Sequence, residues 1–356
     1  MKIRFTPIWL GFFLFIFAFC LFSSPAQEKP VIAILPLSMR ESTDGYIGYY
    51  LRDLIKNALD DTEEVVVVDN IQVDEVLRES KIDQKVTLVQ SMAQVLLKRI
   101  NGNYLLSGTY RIRTFSGKER LVVSMRLFEK EKDGYIDLNS NVIEVDKPDE
   151  FRQLFVPEIL KSLNIEPINS IKPFTYDPQV IFPLYQGVEK MDQALRTYGE
   201  AQFPDKPLWK EAFAEVQRTI DHAPDYPNAY YYLAYMYQKT GWLAKEVETW
   251  TKYIEILGRS RSGMKSTRAY LSLAYSYFSQ KKFDMAINSI DQALEVNPEM
   301  AEAYFLLGKI HYEQGNSAKA QEYWNKAYFL DPSLKEAQYF AGEAGKAVTY
   351  GKDAYK

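Results

Sequence analysis

The chain contains two histidines, His222 and His311, and these are the first side chains to consider for acid–base chemistry or metal binding. His311 lies in an apolar and aromatic segment, residues 303–316. A histidine there is either a catalytic base or metal ligand among hydrophobic side chains, or a ring that replaces another aromatic residue. The answer separates an enzyme from a binding protein.

Sequence motifs give little support to catalysis. There is no phosphate-binding loop, dinucleotide fingerprint, HExxH zinc motif or GxSxG nucleophile motif. The acidic run at residues 60–64 is more typical of a solvated helix end than of a pair of catalytic carboxylates. We therefore expect a protein that is not an enzyme, with no catalytic residues, no cofactor and no metal ion.

Length and composition limit the number of domains and the kinds of partner. A chain of 356 residues with 47% hydrophobic and 25% charged residues can build two ordinary domains. The net charge of −4 disfavours nucleic acid as a partner.

The N-terminus has the pattern of a secretory signal peptide over residues 1–26. Two positive charges precede the apolar run 7–22, and the small residues Ser24 and Ala26 predict cleavage before Gln27. The only cysteine, Cys20, follows the bulky Phe19, which disfavours a lipoprotein. We expect an exported, periplasmic protein. Association with the outer membrane and retention of the segment as an anchor are the alternatives.

The C-terminal half repeats itself. Residues 267–300 and 301–334 are contiguous 34-residue copies, and their large, small and proline residues recur at the same offsets. His311 falls where Tyr277 stands in the preceding copy, so it is predicted to pack between helices. His222 stands at a helix end, where the helix dipole favours it.

These offsets resemble the tetratricopeptide repeat, which implies stacked helical pairs. Weaker copies are predicted at 227–260 and 182–226, the former departing from the pattern at Glu246 and Tyr253, where small residues are expected. A capping helix and tail are predicted at 335–356.

The N-terminal half predicts a small α/β domain at residues 31–165. Apolar strands at 31–37 and 64–69 alternate with an amphipathic helix at 46–60. Two further helices, a hairpin, a strand at 141–146 and a helix at 149–163 follow. The segments VIAILPL, GYIGYYLRDLIKNAL, VVVVD and LLKRINGNYLLSGTYRIR resemble the amino-terminal domain of TolB-like periplasmic proteins, which implies a non-catalytic, envelope-associated domain.

The expected fold class is thus α+β: this small domain, a stiff proline-rich linker at 166–181, and an all-α superhelix of repeats at 182–334.

The repeat resemblance implies a partner-binding groove. In that family, the second, fifth, ninth, twelfth and thirteenth positions of each copy line a concave surface. Large side chains at these positions here are Tyr231, Tyr235, Leu271, Tyr275, Phe278, Phe305 and Tyr312. The alternative is that several of these rings pack against the neighbouring repeat.

Between two copies lies a short basic segment, residues 258–268. It carries four basic residues and no acid: Arg259, Arg261, Lys265 and Arg268. It is either a solvated loop or a contact with anionic lipid headgroups or an acidic partner, which would give peripheral contact with a membrane surface.

Together these patterns predict a non-catalytic adaptor that binds a protein or peptide of the cell envelope, with an oligomeric state left open. The alternative is a structural subunit of an outer-membrane-associated secretion, flagellar or Tol-like assembly, since curli-secretion and flagellar-ring proteins share this α/β fold. The hairpin of residues 104–128 carries Arg111, Arg113, Arg120 and Arg126. We expect them on both faces, which argues against insertion in a membrane.

Overall fold

The computed structural model describes residues 29–39, 45–82, 88–167, 170–199, 205–259 and 266–353. The predicted signal peptide lies outside these residues. The chain divides into two compact units. The first comprises Met1–Arg40, Arg52–Ile143 and Asp149–Pro173, and the second comprises Glu41–Leu51, Glu144–Pro148 and Phe174–Lys356.

The α/β part of the chain follows the predicted order of elements. Its strands are β1 (Val31–Ile34), β2 (Ser38–Met39), β3 (Val66–Val67), β4 (Tyr104–Phe115), β5 (Lys118–Glu129) and β6 (Ile136–Ile143). Its helices are α1 (Tyr46–Asp60), α2 (Asn70–Glu79), α3 (Gln90–Ile100) and α4 (Pro148–Ser162).

The strands form one mixed sheet in the order β3-β1-β4-β5-β6, with β2 paired to β4. The strands β1, β2 and β3 run parallel to their neighbours, whereas β4, β5 and β6 form an antiparallel meander. Asn103 fixes where β1 and β4 meet, because its side-chain oxygen accepts from the Val31 amide and its own amide donates to the Val31 carbonyl, both at 2.8 Å. Ser116 and Gly117 turn the β4–β5 hairpin with φ of 52° and 79°.

Three strand predictions were wrong in extent. The strand predicted at 31–37 ends at Ile34. Residues 64–69 contain only the two-residue strand β3. The strand predicted at 141–146 lies at Ile136–Ile143 instead. Its buried positions are widely spaced, at Leu138 and Ile143, so its polar sequence hides the alternation of a strand.

Helices α2 and α3 cover one end of one sheet face. Their apolar residues form a core cluster with Ala33 and Leu35 near β1, Leu105 of β4 and Phe128 of β5. Since side chains alternate along a strand, Leu105 shares its face with Ser107, Thr109 and the following odd-numbered residues of β4.

The four arginines of the hairpin lie on that same face, not on both faces as expected. In the backbone register of β4 with β5, Arg113 lies opposite Arg120 and Ser107 lies opposite Arg126. Ser107 is an even number of residues from Arg111 and Arg113, so all four arginine side chains lie on the same face. The opposite face, which includes Tyr110 and Met125, is buried. The expectation of arginines on both faces was wrong, because it considered the alternation of side chains along each strand but not the register of β4 with β5.

The helical part consists of α5 (Pro178–Tyr198), α6 (Pro207–His222), α7 (Pro227–Lys239), α8 (Leu243–Arg259), α9 (Thr267–Ser279), α10 (Phe283–Val296), α11 (Ala301–Glu313), α12 (Ser317–Leu330) and α13 (Lys335–Asp353). Successive helices pack as the pairs α5–α6, α7–α8, α9–α10 and α11–α12, and α13 packs on α12. None of the helices in the described residues combines the length and the apolar character needed to cross a bilayer.

The linker is shorter than predicted. Helix α5 begins at Pro178, whereas the linker was expected to extend to residue 181. Asp177 caps the helix by accepting from the Gln179 amide at 2.9 Å, and Pro178 occupies the first turn, where its missing N–H costs nothing. A cluster of prolines concealed this helix start.

Small residues allow the helices of a repeat to approach closely. A Cβ added to Gly308 would lie 2.4 Å from the ring of Trp324, so glycine is needed where α11 meets α12. The Trp324 indole donates to the carbonyl of Phe305 at 3.0 Å. Helix α13 closes this end with the buried Ala337 and Ala341, as the narrow stripe of a capping helix predicts.

Candidate partner-binding groove

Burial divides the seven predicted groove residues into two groups. The side chains of Tyr231, Tyr235, Leu271 and Phe305 are buried, with 1% to 7% of their surface exposed. Tyr275 and Phe278 are half-buried and Tyr312 is 49% exposed. Three of the seven candidate side chains are therefore accessible, and four are packed in the interior. We call Tyr275, Phe278 and Tyr312 the accessible rings.

In the copy formed by α7 and α8, neighbouring aromatic side chains cover Tyr231. Tyr231 packs against Tyr232, Trp250 and Tyr253, with ring centroids 5.1 to 5.8 Å apart. Tyr253 stands where the repeat pattern has a small residue. The departure noted in the sequence thus supplies the ring that covers Tyr231.

At the other end of the array, the capping helix buries Phe305. Phe340 of α13 lies 6.1 Å from the Phe305 ring and 5.3 Å from the Trp324 ring. Phe305 thus belongs to the core between repeat and cap.

A lysine of α11 lies between one accessible ring of α9 and the buried Phe305 of its own helix. The ammonium of Lys309 lies 5.9 Å from the ring centroid of Phe278 and 5.4 Å from that of Phe305. In the part of the chain that the structure describes, Lys309 has no ion pair. Lys309 occupies the ninth position of its copy, which is one of the groove-lining positions of the repeat. It was missed because only large apolar and aromatic side chains were selected at those positions.

Electrostatics keep the Tyr275 phenol neutral. Burial, and next the nearby Glu302 carboxylate, raise the pKa of Tyr275 to about 12, while Arg268 opposes them. The phenol can therefore donate a hydrogen bond throughout the physiological range.

The two histidines have structural surroundings. The ring of His311 stacks on Tyr323 at 5.3 Å with an interplanar angle of 7°, which confirms that it packs between helices as the tyrosines do. Burial, with the charge of Lys319 as a smaller cause, lowers the pKa of His311. His222 lies at the end of α6, where its Nδ1 is 2.8 Å from the Arg218 carbonyl.

The predicted anionic contact is only partly described. Arg259 ends α8 and pairs with Glu255, and Arg268 lies in the first turn of α9. Arg261 and Lys265 lie outside the described residues, so this contact stays a prediction. Within the described ranges, no group of three or more histidine, cysteine, aspartate or glutamate side chains could hold a metal ion.

Comparison with known proteins identifies the repeats in part of the helical half. Residues 271–344 match the tetratricopeptide repeat family, so the chain carries tetratricopeptide repeats as their spacing predicted. The matched segment includes all three accessible rings.

Two curated proteins are similar over part of this region. Heat shock protein STI1 of Saccharomyces cerevisiae is 32% identical over 94 residues, which are 26% of this chain and 15% of that protein. TPR repeat-containing protein MJ1428 of Methanocaldococcus jannaschii is 30% identical over 83 residues, 23% of this chain and 14% of that one. The chain thus spans about a seventh of the length of these relatives.

Solved structures of other proteins also align with this chain, at lower sequence identity. A crystal structure of MamA aligns with a TM-score of 0.38 and 20% identity over 44% of this chain and 84% of that one. The crystal structure of YrrB, a TPR protein with an unusual peptide-binding site, aligns at 0.34 and 17% over 44% and 82%.

Proposed function

We propose that the protein is a non-catalytic periplasmic adaptor that binds a protein or peptide segment through its repeats, in assembly or maintenance of the cell envelope. The observation that carries this proposal is the set of accessible rings on the first helices of two consecutive repeats. Aromatic residues on such a surface combine large contact area with few rotatable bonds.

The side chains of this surface indicate what kind of peptide it would bind. The accessible rings favour apolar side chains, and Lys309 adds a positive charge 5.9 Å from the centre of the Phe278 ring. A peptide that carries an acidic group beside an apolar residue would satisfy both features.

Export and an envelope role rest on the N-terminal sequence. The pattern of residues 1–26 supports secretion, and the resemblance of the α/β half to TolB-like amino-terminal domains supports an envelope setting. A fold resemblance supplies no partner, so the partner is sought through the repeats.

The test removes two accessible rings together, with the substitutions Phe278→Ala and Tyr312→Ala. Burying one such ring contributes about 1.5–3 kcal/mol, so losing two half-exposed rings should weaken binding by about tenfold or more. Recovery of the partner from an envelope extract is measured by affinity capture on the purified protein, with melting temperature as a check of folding.

Phe329→Ala is the matched control. Phe329 is 83% exposed, but it lies on α12, a second helix of a repeat. The control should recover as much partner as the unmodified protein. Equal recovery by the double variant would refute the proposal.

A further inference from the structure

Among the described residues, part of one sheet face in the first unit is polar and partly exposed. Helices α2 and α3 pack on this face around Ala33, Leu35, Leu105 and Phe128. Beyond that end, the face continues over β2, β4, β5 and β6 and borders a cavity of about 340 Å³.

A row of hydroxyl groups crosses four strands at this place. Ser38 of β2 pairs with Thr109 of β4, and Thr109 pairs with Ser124 of β5. The hydroxyl of Ser124 lies 2.7 Å from the hydroxyl of Ser140 on β6. Ser107 adds a fifth hydroxyl beside the row.

An arginine lies on each side of the hydroxyl row. Arg126 is two residues from Ser124 on β5, and Arg111 is two residues from Thr109 in the opposite direction. Their backbones are four residues apart, about 13 Å at the rise of a strand. Both side chains nevertheless line the same cavity.

The local charge is positive although the chain is acidic overall. Among the described residues, Arg111 has no ion pair and no hydrogen-bond partner. Arg126 directs its Nε to Asp137 at 3.2 Å and stacks on Tyr135 at 4.3 Å. The side chain of Asp137 is 68% exposed, so solvent screens this pair.

We propose that this site binds a phosphate group. Guanidinium groups bind carboxylates and phosphates through paired hydrogen bonds, and the hydroxyls supply further donors. A phosphate presents three or more acceptor oxygens in a tetrahedral arrangement, which can engage both arginines and the hydroxyl row, whereas a carboxylate presents two. The group belongs to a small phosphorylated solute or to a lipid headgroup.

Calorimetry on the full chain tests the site, with inorganic phosphate and glycerol phosphate as the soluble probes. The unmodified protein should show saturable binding. Arg111→Gln should weaken it by about tenfold or more, because a hydrogen bond to a charged group is lost. Thr109→Val keeps the branched shape, removes one hydroxyl and should weaken binding by about two- to tenfold.

Lys118→Gln is the matched control, because it removes one exposed positive charge at the other end of the same hairpin. It should leave phosphate binding unchanged. Equal loss in Lys118→Gln and Arg111→Gln would show screening by net charge and overturn the proposal. Should Arg111→Gln fail to fold, as judged by melting temperature, the result of Thr109→Val decides, and unchanged binding there overturns the proposal.

Sedimentation with vesicles separates the two sources of phosphate. Binding to phosphatidylglycerol vesicles that requires Arg111, without binding of the soluble probes, assigns the site to lipid headgroups. Binding of the soluble probes without vesicle binding assigns it to a solute. Absence of both overturns the site. These outcomes are independent of partner capture by the repeats.

Discussion

A buried arginine in the α/β half and a buried glutamate in the repeats differ in the groups that surround them. In the α/β half, Arg52 is fully buried and forms a bidentate pair with Asp74, at 2.6 and 3.1 Å. Asp53 lies 3.8 Å from the same guanidinium and accepts a hydrogen bond from Asn70 at 2.6 Å. The buried charges therefore face opposite charges.

In the repeats, Glu246 is buried without a counter-charge among the described residues. Its carboxylate accepts a hydrogen bond from Ser276 at 2.7 Å, and 4% of its surface is exposed. Burial raises the pKa of Glu246, and the hydrogen bond from Ser276 only partly offsets this.

The comparison shows why one buried charge stabilises its surroundings and another does not. A buried ion loses its hydration, and only a well-placed partner of opposite charge repays that loss. Arg52 has such a partner, whereas the groups beside the Glu246 carboxylate, the Ser276 hydroxyl and the Trp250 side chain, are uncharged. Glu246 also stands where the repeat pattern places a small residue. Its burial should therefore destabilise this repeat at neutral pH.

The largest predicted effect is that of Arg52→Ala. This change leaves Asp53 and Asp74 buried without a cation, and it should lower the free energy of unfolding of the α/β half by about 3–5 kcal/mol. The measurement is hydrogen exchange of peptides from β4 and β5 across a urea titration.

Arg99→Ala serves as the control, because Arg99 pairs with Glu79 at the surface, with 38% and 64% of the two side chains exposed. It should cost no more than about 1 kcal/mol. Equal losses in the two variants would mean that burial of the Arg52 pair makes no special contribution.

The smaller effect, of opposite sign, is that of Glu246→Gln. The folded-state pKa of Glu246 is raised above its ordinary value of 4.5, so its contribution to stability is present below that pH and is lost as the pH rises through the folded-state value. Glutamine keeps an acceptor for Ser276 and carries no charge. The variant should therefore be more stable than the unmodified protein at pH 7, and the difference should shrink towards pH 4.

Tryptophan fluorescence reports unfolding of the repeats, because Trp209, Trp242, Trp250 and Trp324 all lie in them. Unfolding is measured at several pH values, and Glu248→Gln, an exposed site two residues away, is the control. A stability difference that does not vary with pH would contradict the account of Glu246.

Sequence reasoning succeeded where one local period dominates. The offsets of the repeats predicted the helical pairs, the stacking of His311 and the capping helix. Helix α1 was predicted at its observed bounds, since its apolar stripe is continuous. In each case the pattern lies within a few turns of one element.

The sequence could not decide features that depend on distant contacts. The burial of Phe305 depends on Phe340 of the capping helix, and that of Tyr231 depends on Tyr253 of the next helix. The placement of four arginines on one face depends on the register of β4 with β5. The helical positions place the candidate residues on one face of each repeat, but they did not show which rings stay accessible.

The most direct test of the adaptor account is site-specific photocrosslinking in living cells. A benzophenone amino acid replaces Tyr312, an accessible ring of α11, or Phe329, an exposed ring of α12. The account predicts a discrete crosslinked partner from position 312 and none from position 329. Crosslinks from position 329 alone, or identical products from both positions, would contradict it.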